Sequence, residues 1–288
     1  MEYDYIHMNI SRRLATGPNE ARLLTELERN GISIFTSARH SALIDGRTDR
    51  QSRDTVYQLA KKGWLLRIES GKHLVVPRAA RGTWSEHPFV VAAGIAPIES
   101  YISFWSALSH HGLTEQLPRV VHVVLKERQK APVVFQEWTY RFVALAEHKF
   151  FGFHPEEFSA LNGAARISVP IADPEKAILD SLDYEALGGG ITEIVKALRR
   201  GVDRHQLAMD RLLEYAERLG NAAVIARLGF LLERIDVPEA SDLRTLIRRR
   251  GPPPVLSTVR KGAATTFNRD WYLNVNVPDW HWDEEQGG

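Results

Sequence analysis

The stretch from Phe35 to Pro77 (FTSARHSALIDGRTDRQSRDTVYQLAKKGWLLRIESGKHLVVP) constrains the fold more than any other, because it reads as two short helices followed by a two-stranded hairpin. A first helix, about Asn19 to Asn30, comes before it, built on Leu23, Leu24 and Leu27 together with the Ile32, Ile34 and Phe35 group. Asn30–Gly31 stops that helix, since both residues tolerate left-handed backbone. Thr36 stands where an N-cap is wanted, and Ala38, Leu43 and Ile44 supply the apolar side of a second, short helix that turns at Asp45–Gly46. Asp49 caps a third, in which Ser52, Val56, Leu59, Ala60 and Gly63 recur at spacings of three and four while Arg50, Gln51, Asp54, Tyr57 and Lys61 fall on the other side. After Gly63, two apolar runs flank a Ser70–Gly71 turn and form the hairpin. Helix, helix and hairpin in that order is the signature of a winged helix-turn-helix and points to DNA.

Charge supports the same expectation. Between Arg39 and Arg81 there are ten basic residues against four acidic ones, although the whole chain carries a net charge of only +1. Localised positive charge attracts the phosphate backbone, whereas discrimination between bases needs side chains at the groove floor. The residues suited to reading bases are Arg50, Gln51, Arg53 and Tyr57 on the third helix. Arginine favours guanine and glutamine adenine in the major groove. A lone charged helix is ordinarily a solvated face, and it is the ordered context that separates this one from that case.

The expected class is α+β, with an N-terminal winged helix-turn-helix domain over residues 1–80 and a larger mixed α/β domain over residues 88–288, more helical from about residue 190. Arg78 to Pro88 lacks periodicity and marks the boundary. Past it, Ser100 to His111 reads as a helix, Val120 to Leu125 as a buried strand, and Pro132 to Phe135, Trp138 to Ala144 and Phe150 to Phe153 as further strands. Asp173–Pro174 opens a helix, with an acidic cap and proline at its first position. Apolar stripes follow at Ile191 to Leu198, Leu212 to Leu219 and Ile225 to Ile235, then a short helix at Leu243 to Ile247, the Pro252–Pro254 break and a strand-like run from Trp271 to Val277.

The chain has no cysteine, which excludes disulfides and thiolate metal sites and makes a cytoplasmic protein the simplest expectation. No apolar run approaches the roughly 18 residues of a membrane span. The N-terminal MEYDYIHMNISRR is acidic before it is basic, the reverse of a secretory signal, so export is not expected.

Three segments carry a family resemblance: GWLLRIESGKHLVVP, YISFWSALSHHGLTEQLPRVVHVV and ISVPIADPEKAILDSLD. Together they resemble successive landmarks of the AbiEi family of antitoxins, predicted transcriptional regulators of viral-defence systems, over about Leu23 to Asp183. The middle one is the most specific, while the helix-turn-helix is shared with many unrelated regulators. The resemblance implies an N-terminal domain that binds operator repeats in double-stranded DNA and represses its own operon, with a C-terminal domain that helps to counter a nucleotidyltransferase-like toxin. Carried over to this sequence, the resemblance implies DNA contacts at Arg47, Arg50, Gln51, Arg53, Tyr57 and Lys61 on or beside the third helix and at Lys72 and His73 at the hairpin. The segment DGRTDRQ, Asp45 to Gln51, departs from it by being longer than the turn such relatives carry.

No catalytic constellation stands out, and no activity, cofactor or metal is expected. His110–His111 diverge by about 100° on a helix, which suits packing or capping better than ligation. His148 and His154 lack a carboxylate pattern for zinc, and Glu156–Glu157 read as the solvated start of a short helix. Asp173, Glu175, Lys176 and Asp180 are loosely nuclease-like in composition. A capping Asp173 and a surface i,i+4 pair of Lys176 with Asp180 explain them more simply. Gly188–Gly190 lacks the Lys–Ser/Thr of a phosphate loop. Arg248, Arg249 and Arg250 form a possible second anionic contact, against the alternative of favourable charge at a helix C-terminus. Two other readings stay open at this point: an interaction module in which DNA binding is secondary, and a stand-alone regulator with no toxin partner.

Overall fold

The computed structural model describes residues 15–37, 49–80, 84–126, 129–247, 249, 251–260 and 265–277. The fold is α+β, and the chain divides into two compact units. The first comprises residues 1–100, 131–141 and 155–169, and the second comprises 101–130, 142–154 and 170–288. Thus the first unit contains all of the 1–80 segment and adds later pieces to it.

In the first unit, α1 (Pro18–Arg29) presents Leu23, Leu24 and Leu27 to the core, and α2 (Asp49–Lys61) presents Leu59, with Val56 and Ala60 packed beside it. One device ends both helices. Gly31 and Gly63 have φ of 65° and 78°, and the following amides, Ile32 and Trp64, reach back to the carbonyls of Leu27 and Leu59. This is the Schellman closure, which favours glycine because the left-handed backbone carries no Cβ penalty there. Between the helices lies β1 (Ile34–Thr36), and after α2 come β2 (Leu65–Glu69) and β3 (Lys72–Val75). They form an antiparallel sheet of order β1–β3–β2, with Ile34 opposite Leu74 and Leu66 opposite Leu74 from the other side. Sequence reasoning grouped Ile34 and Phe35 with α1 and made Thr36 a helix cap. They are a third strand instead, because the alternating backbone buries Phe35 against α1 and α2 while pairing with β3.

The core of this unit is completed by Leu161 and Ala165 from a later segment. Next to it α3 (Pro88–Ile95) lies so close to β1 that a Cβ on Gly94 would sit 2.3 Å from Ile34 Cγ1. Buried Glu86 accepts the Leu161 amide at 2.8 Å and its own neighbour's amide, while burial pushes its carboxyl above the usual range.

The remaining strands are β4 (Ser100–Ile102), β5 (Val120–Lys126), β6 (Val133–Phe135), β7 (Trp138–Leu145), β8 (Phe153–Ala160) and β9 (Ala165–Ala172), in the sheet order β6–β7–β5–β4–β9–β8. Three expectations change here. Ser100–Ile102 is a strand, paired in parallel with β9 through Ile102 and Ile171, so the helix α4 covers only Phe104–His110. Glu156 and Glu157 belong to β8, where alternating exposure rather than a helix turn keeps charge in water. The β9 strand went unseen because its polar residues alternate only over its first half.

In the second unit α5 (Pro174–Asp183) is almost wholly enclosed, with α4, α6 (Ile191–Asp203), α7 (Met209–Leu219) and α8 (Ala222–Arg234) packed around it. The expected helix near Leu243 is α9 (Ala240–Leu243) and one further 3-10 turn. A hairpin of β10 (Thr266–Asn268) and β11 (Leu273–Val275) closes the described chain. Among the described residues no helix is long and apolar enough to cross a membrane.

Candidate nucleic-acid interface

Alternation of burial along α2 separates it into two faces. Thr55 and Leu59 point inward, and Arg50, Gln51, Arg53, Asp54, Tyr57, Gln58 and Lys61 are exposed. The outward row at 50, 53, 57 and 61 follows the three-four spacing that stacks side chains along one helical stripe. Tyr57 is 63% exposed, so a large ring stands in solvent between arginine and lysine. Arg50, Arg53 and Lys61 have no ion pair among the described residues, which leaves their charge available to an outside partner. Arginine offers paired donors matched to a phosphate or to the O6 and N7 edge of guanine, and Tyr57 offers a ring and a hydroxyl.

The hairpin divides its basic residues differently. Arg67 on β2 is exposed, opposite His73 on β3, and it is a candidate that residue selection from sequence left out. The signal was present, since Arg67 is the one outward position in the Leu65–Ile68 run. Lys72 is turned inward: its amine donates to the Ile95 carbonyl at 2.7 Å and lies 3.2 Å from Glu69. His73 is half-buried in the central strand, its ring 6.3 Å from Phe35, and its Nδ1 has no hydrogen-bond partner among the described residues. Burial, then the Arg67 charge, holds its imidazole below the usual value and therefore neutral at physiological pH. Two other basic residues are also committed, Lys62 to Glu20 at 2.6 Å and Arg78 to Glu28 at 2.8 Å. Arg47 and the expected helix around Ala38 to Ile44 lie outside the described residues, as do Arg248 and Arg250. Arg249 is exposed and donates to the Arg269 carbonyl at 3.1 Å.

The polar residues of the second unit are organised otherwise than the sequence suggested. Lys176 and Asp180 are not a surface pair. Both are buried and hydrogen-bonded to one another, because α5 is enclosed on every side. Asp180 also accepts from Ser103 at 2.7 Å and Tyr101 at 3.2 Å, and the Lys176 amine lies 4.9 Å from the Phe151 ring centre. Burial, then the Asp180 charge, drives the Tyr101 hydroxyl well above its usual value. Asp173 makes no capping bond with its side chain. It is drawn away by His154 Nδ1 at 2.5 Å and the Tyr215 hydroxyl at 2.8 Å, a triad of three segments that sequence spacing does not reveal. Burial and the Asp173 bond push Tyr215 up to about 12. Glu175 is equally buried, with one oxygen on the Ala208 amide at 2.7 Å and the other 3.8 Å from Arg211. Before α6, the Ile191 amide after Gly188–Gly190 is taken by Glu185 at 3.0 Å, so this helix start already holds a carboxylate. His111 Nε2 lies 2.7 Å from the Ala172 carbonyl.

No protein-family model matches this chain, and no curated protein matches it. Among solved structures it is similar to the crystal structure of the Rv2827c protein from Mycobacterium tuberculosis, with a TM-score of 0.66 over 93% of this chain and 94% of that one. The two share 16% sequence identity, a likeness of fold alone.

Proposed function

We propose that this chain is a sequence-specific DNA-binding transcriptional repressor and the antitoxin of a toxin–antitoxin pair, acting on operator repeats of its own operon. The observation that carries the DNA half is the exposed row Arg50, Arg53, Tyr57 and Lys61 on α2, set opposite a face packed into the core. A helix so divided, followed by the β2–β3 hairpin with Arg67 outward, supports a winged helix in which α2 enters the major groove and the hairpin meets the backbone. In that arrangement Arg50, Gln51 and Arg53 read base edges, Lys61 and Arg67 neutralise phosphates, and Lys72 braces the hairpin on α3 through the Ile95 carbonyl. The antitoxin half rests on the resemblance of three segments to the AbiEi family, whose partners are nucleotidyltransferase-like toxins.

The test joins both halves. Mobility shift with the fragment upstream of the chain's own gene is expected to show saturable binding that Arg50→Glu with Arg53→Glu abolishes. Co-expression with the neighbouring toxin-like gene is expected to restore growth. Failure to bind that fragment would remove the repressor half, and absence of rescue the antitoxin half.

A further inference from the structure

The second basic segment of the chain lies far from α2 in sequence. Residues 244–277 hold seven arginines and lysines against Asp270 alone, in a chain of net charge +1. Arg244 is taken by Glu233 at 2.8 Å, while Arg249 and Arg269 are exposed, and a local excess of positive charge of this kind suits an anionic partner. Where the α2 stripe has the single ring of Tyr57, this segment has a pair of rings beside a cavity. Phe267 on β10 is 45% exposed, and its ring meets Tyr272 edge-on at 5.7 Å between centres. Tyr272 has a φ of 48°, a conformation that a bulky residue rarely adopts, and its hydroxyl is fixed on the Gly251 carbonyl at 2.7 Å. Beside it opens a cavity of about 200 Å³ bounded by Tyr272, Trp271, Pro252, Pro254 and Ile247. Trp271 forms the floor: it is fully buried, donates to Glu233, is covered by Arg244 at 5.4 Å, and is pressed on Gly229 so closely that a Cβ there would lie 2.0 Å away. Arg249 and Arg269 are exposed and joined by the hydrogen bond already described.

We infer that this hairpin and cavity form a binding site for single-stranded nucleic acid, with one unpaired base in the cavity against Tyr272, a neighbour stacked on Phe267, and phosphates on Arg249 and Arg269. The cavity is smaller than the roughly 300 Å³ at which sites for whole cofactors begin, so it takes a single ring system. Aromatic platforms beside arginines bind strands whose bases are free to stack, and a duplex keeps its bases inside. The site lies wholly in the second unit and does not depend on the repressor reading.

The test uses the full chain and a fluorescein-labelled deoxythymidine oligonucleotide of about 16 nucleotides, followed by anisotropy at low salt, with a duplex of equal length as competitor. Expected are saturable binding by the wild type, a loss of about tenfold in Phe267→Ala, and a larger loss in Arg249→Glu with Arg269→Glu. Arg50→Glu with Arg53→Glu is expected to leave this affinity unchanged, which separates the site from α2. Phe267 is a surface residue, so its variant keeps the fold, checked by circular dichroism. No saturable binding, or unchanged affinity in the hairpin variants, overturns the inference. Equal competition by duplex also overturns it, since the patch would then sense backbone charge alone.

Discussion

Helices α2 and α5 carry similar residues to opposite ends. Each has lysine or arginine and aspartate at helical spacing, yet in α2 the charges stand in water and in α5 they are sealed in the core. In α5 the central charges are engaged by protein: Lys176 by Asp180, and Asp180 also by Tyr101 and Ser103. In α2, Arg50, Arg53 and Lys61 have nothing comparable among the described residues. Exposed charge without partners adds little to stability and is free to meet an outside anion, whereas breaking a buried ion pair leaves an uncompensated charge in the core. The comparison teaches that periodicity identifies a helix but not which of its faces meets solvent.

The comparison can be broken most forcefully at α5. Lys176→Ala leaves the Asp180 carboxylate buried without its cation and is expected to lower stability by about 3–5 kcal/mol, read from the denaturant midpoint. Lys176→Met combined with Asp180→Leu is expected to recover only part of it, because an apolar pair removes both ionic desolvation costs but leaves the buried Tyr101 and Ser103 hydroxyls without their acceptor. A single-variant loss under about 1 kcal/mol would mean that the pair is hydrated. At α2 the pattern should invert. Arg50→Ala and Arg53→Ala are each expected to cost about 1–3 kcal/mol in operator affinity while changing stability by no more than about 0.5 kcal/mol.

A smaller effect sharpens the boundary between the two behaviours within the first unit. Glu20 holds α1 to the end of α2 by accepting from Lys62 and from the Gly17 amide. Burial alone would raise its carboxyl, and these donors together outweigh burial and lower it from 4.5. A lowered native value stabilises the fold above the unfolded-state value and loses that stabilisation as pH falls through the native one. Glu20→Gln is therefore expected to cost about 1–2 kcal/mol, constant from neutral pH down to the region of 4.5 and shrinking below it. Thermal melts of both forms across that range check it, and a difference that grows on acidification would contradict the assignment. The smallest contrast lies in the hairpin, where Arg67→Gln is expected to weaken DNA binding by about 1 kcal/mol. Lys72→Gln, whose amine is already bonded to Ile95, is expected to weaken it by less.

Legibility in sequence follows local chemistry. Both α1 and α2 were readable to within a residue or two, because Asn30–Gly31 and Gly63 impose their closures locally. The exposed row of α2 was readable for the same reason, as a matter of period. What escaped depended on distant partners. Ile34–Thr36 is a strand only because β3 returns beside it, and Ser100–Ile102 only because β9 does. Asp173 looked like a cap because proline follows it, and its real partners stand 19 and 42 residues away. Lys72 looked like a contact because it follows the turn, and the carbonyl that claims it belongs to α3.

On the proposed reading, the open face of α2 binds operator DNA through its arginines. The most direct measurement is the dependence of affinity on salt for the wild type and for Arg50→Ala with Arg53→Ala, on the same upstream fragment. Each phosphate contact removed should flatten the logarithmic slope by about 1, and a base contact removed should lower affinity and relax sequence preference at its position. A steep slope is expected in the wild type, with weaker, less selective binding in the variant. Identical slope, affinity and selectivity in the two proteins would contradict it.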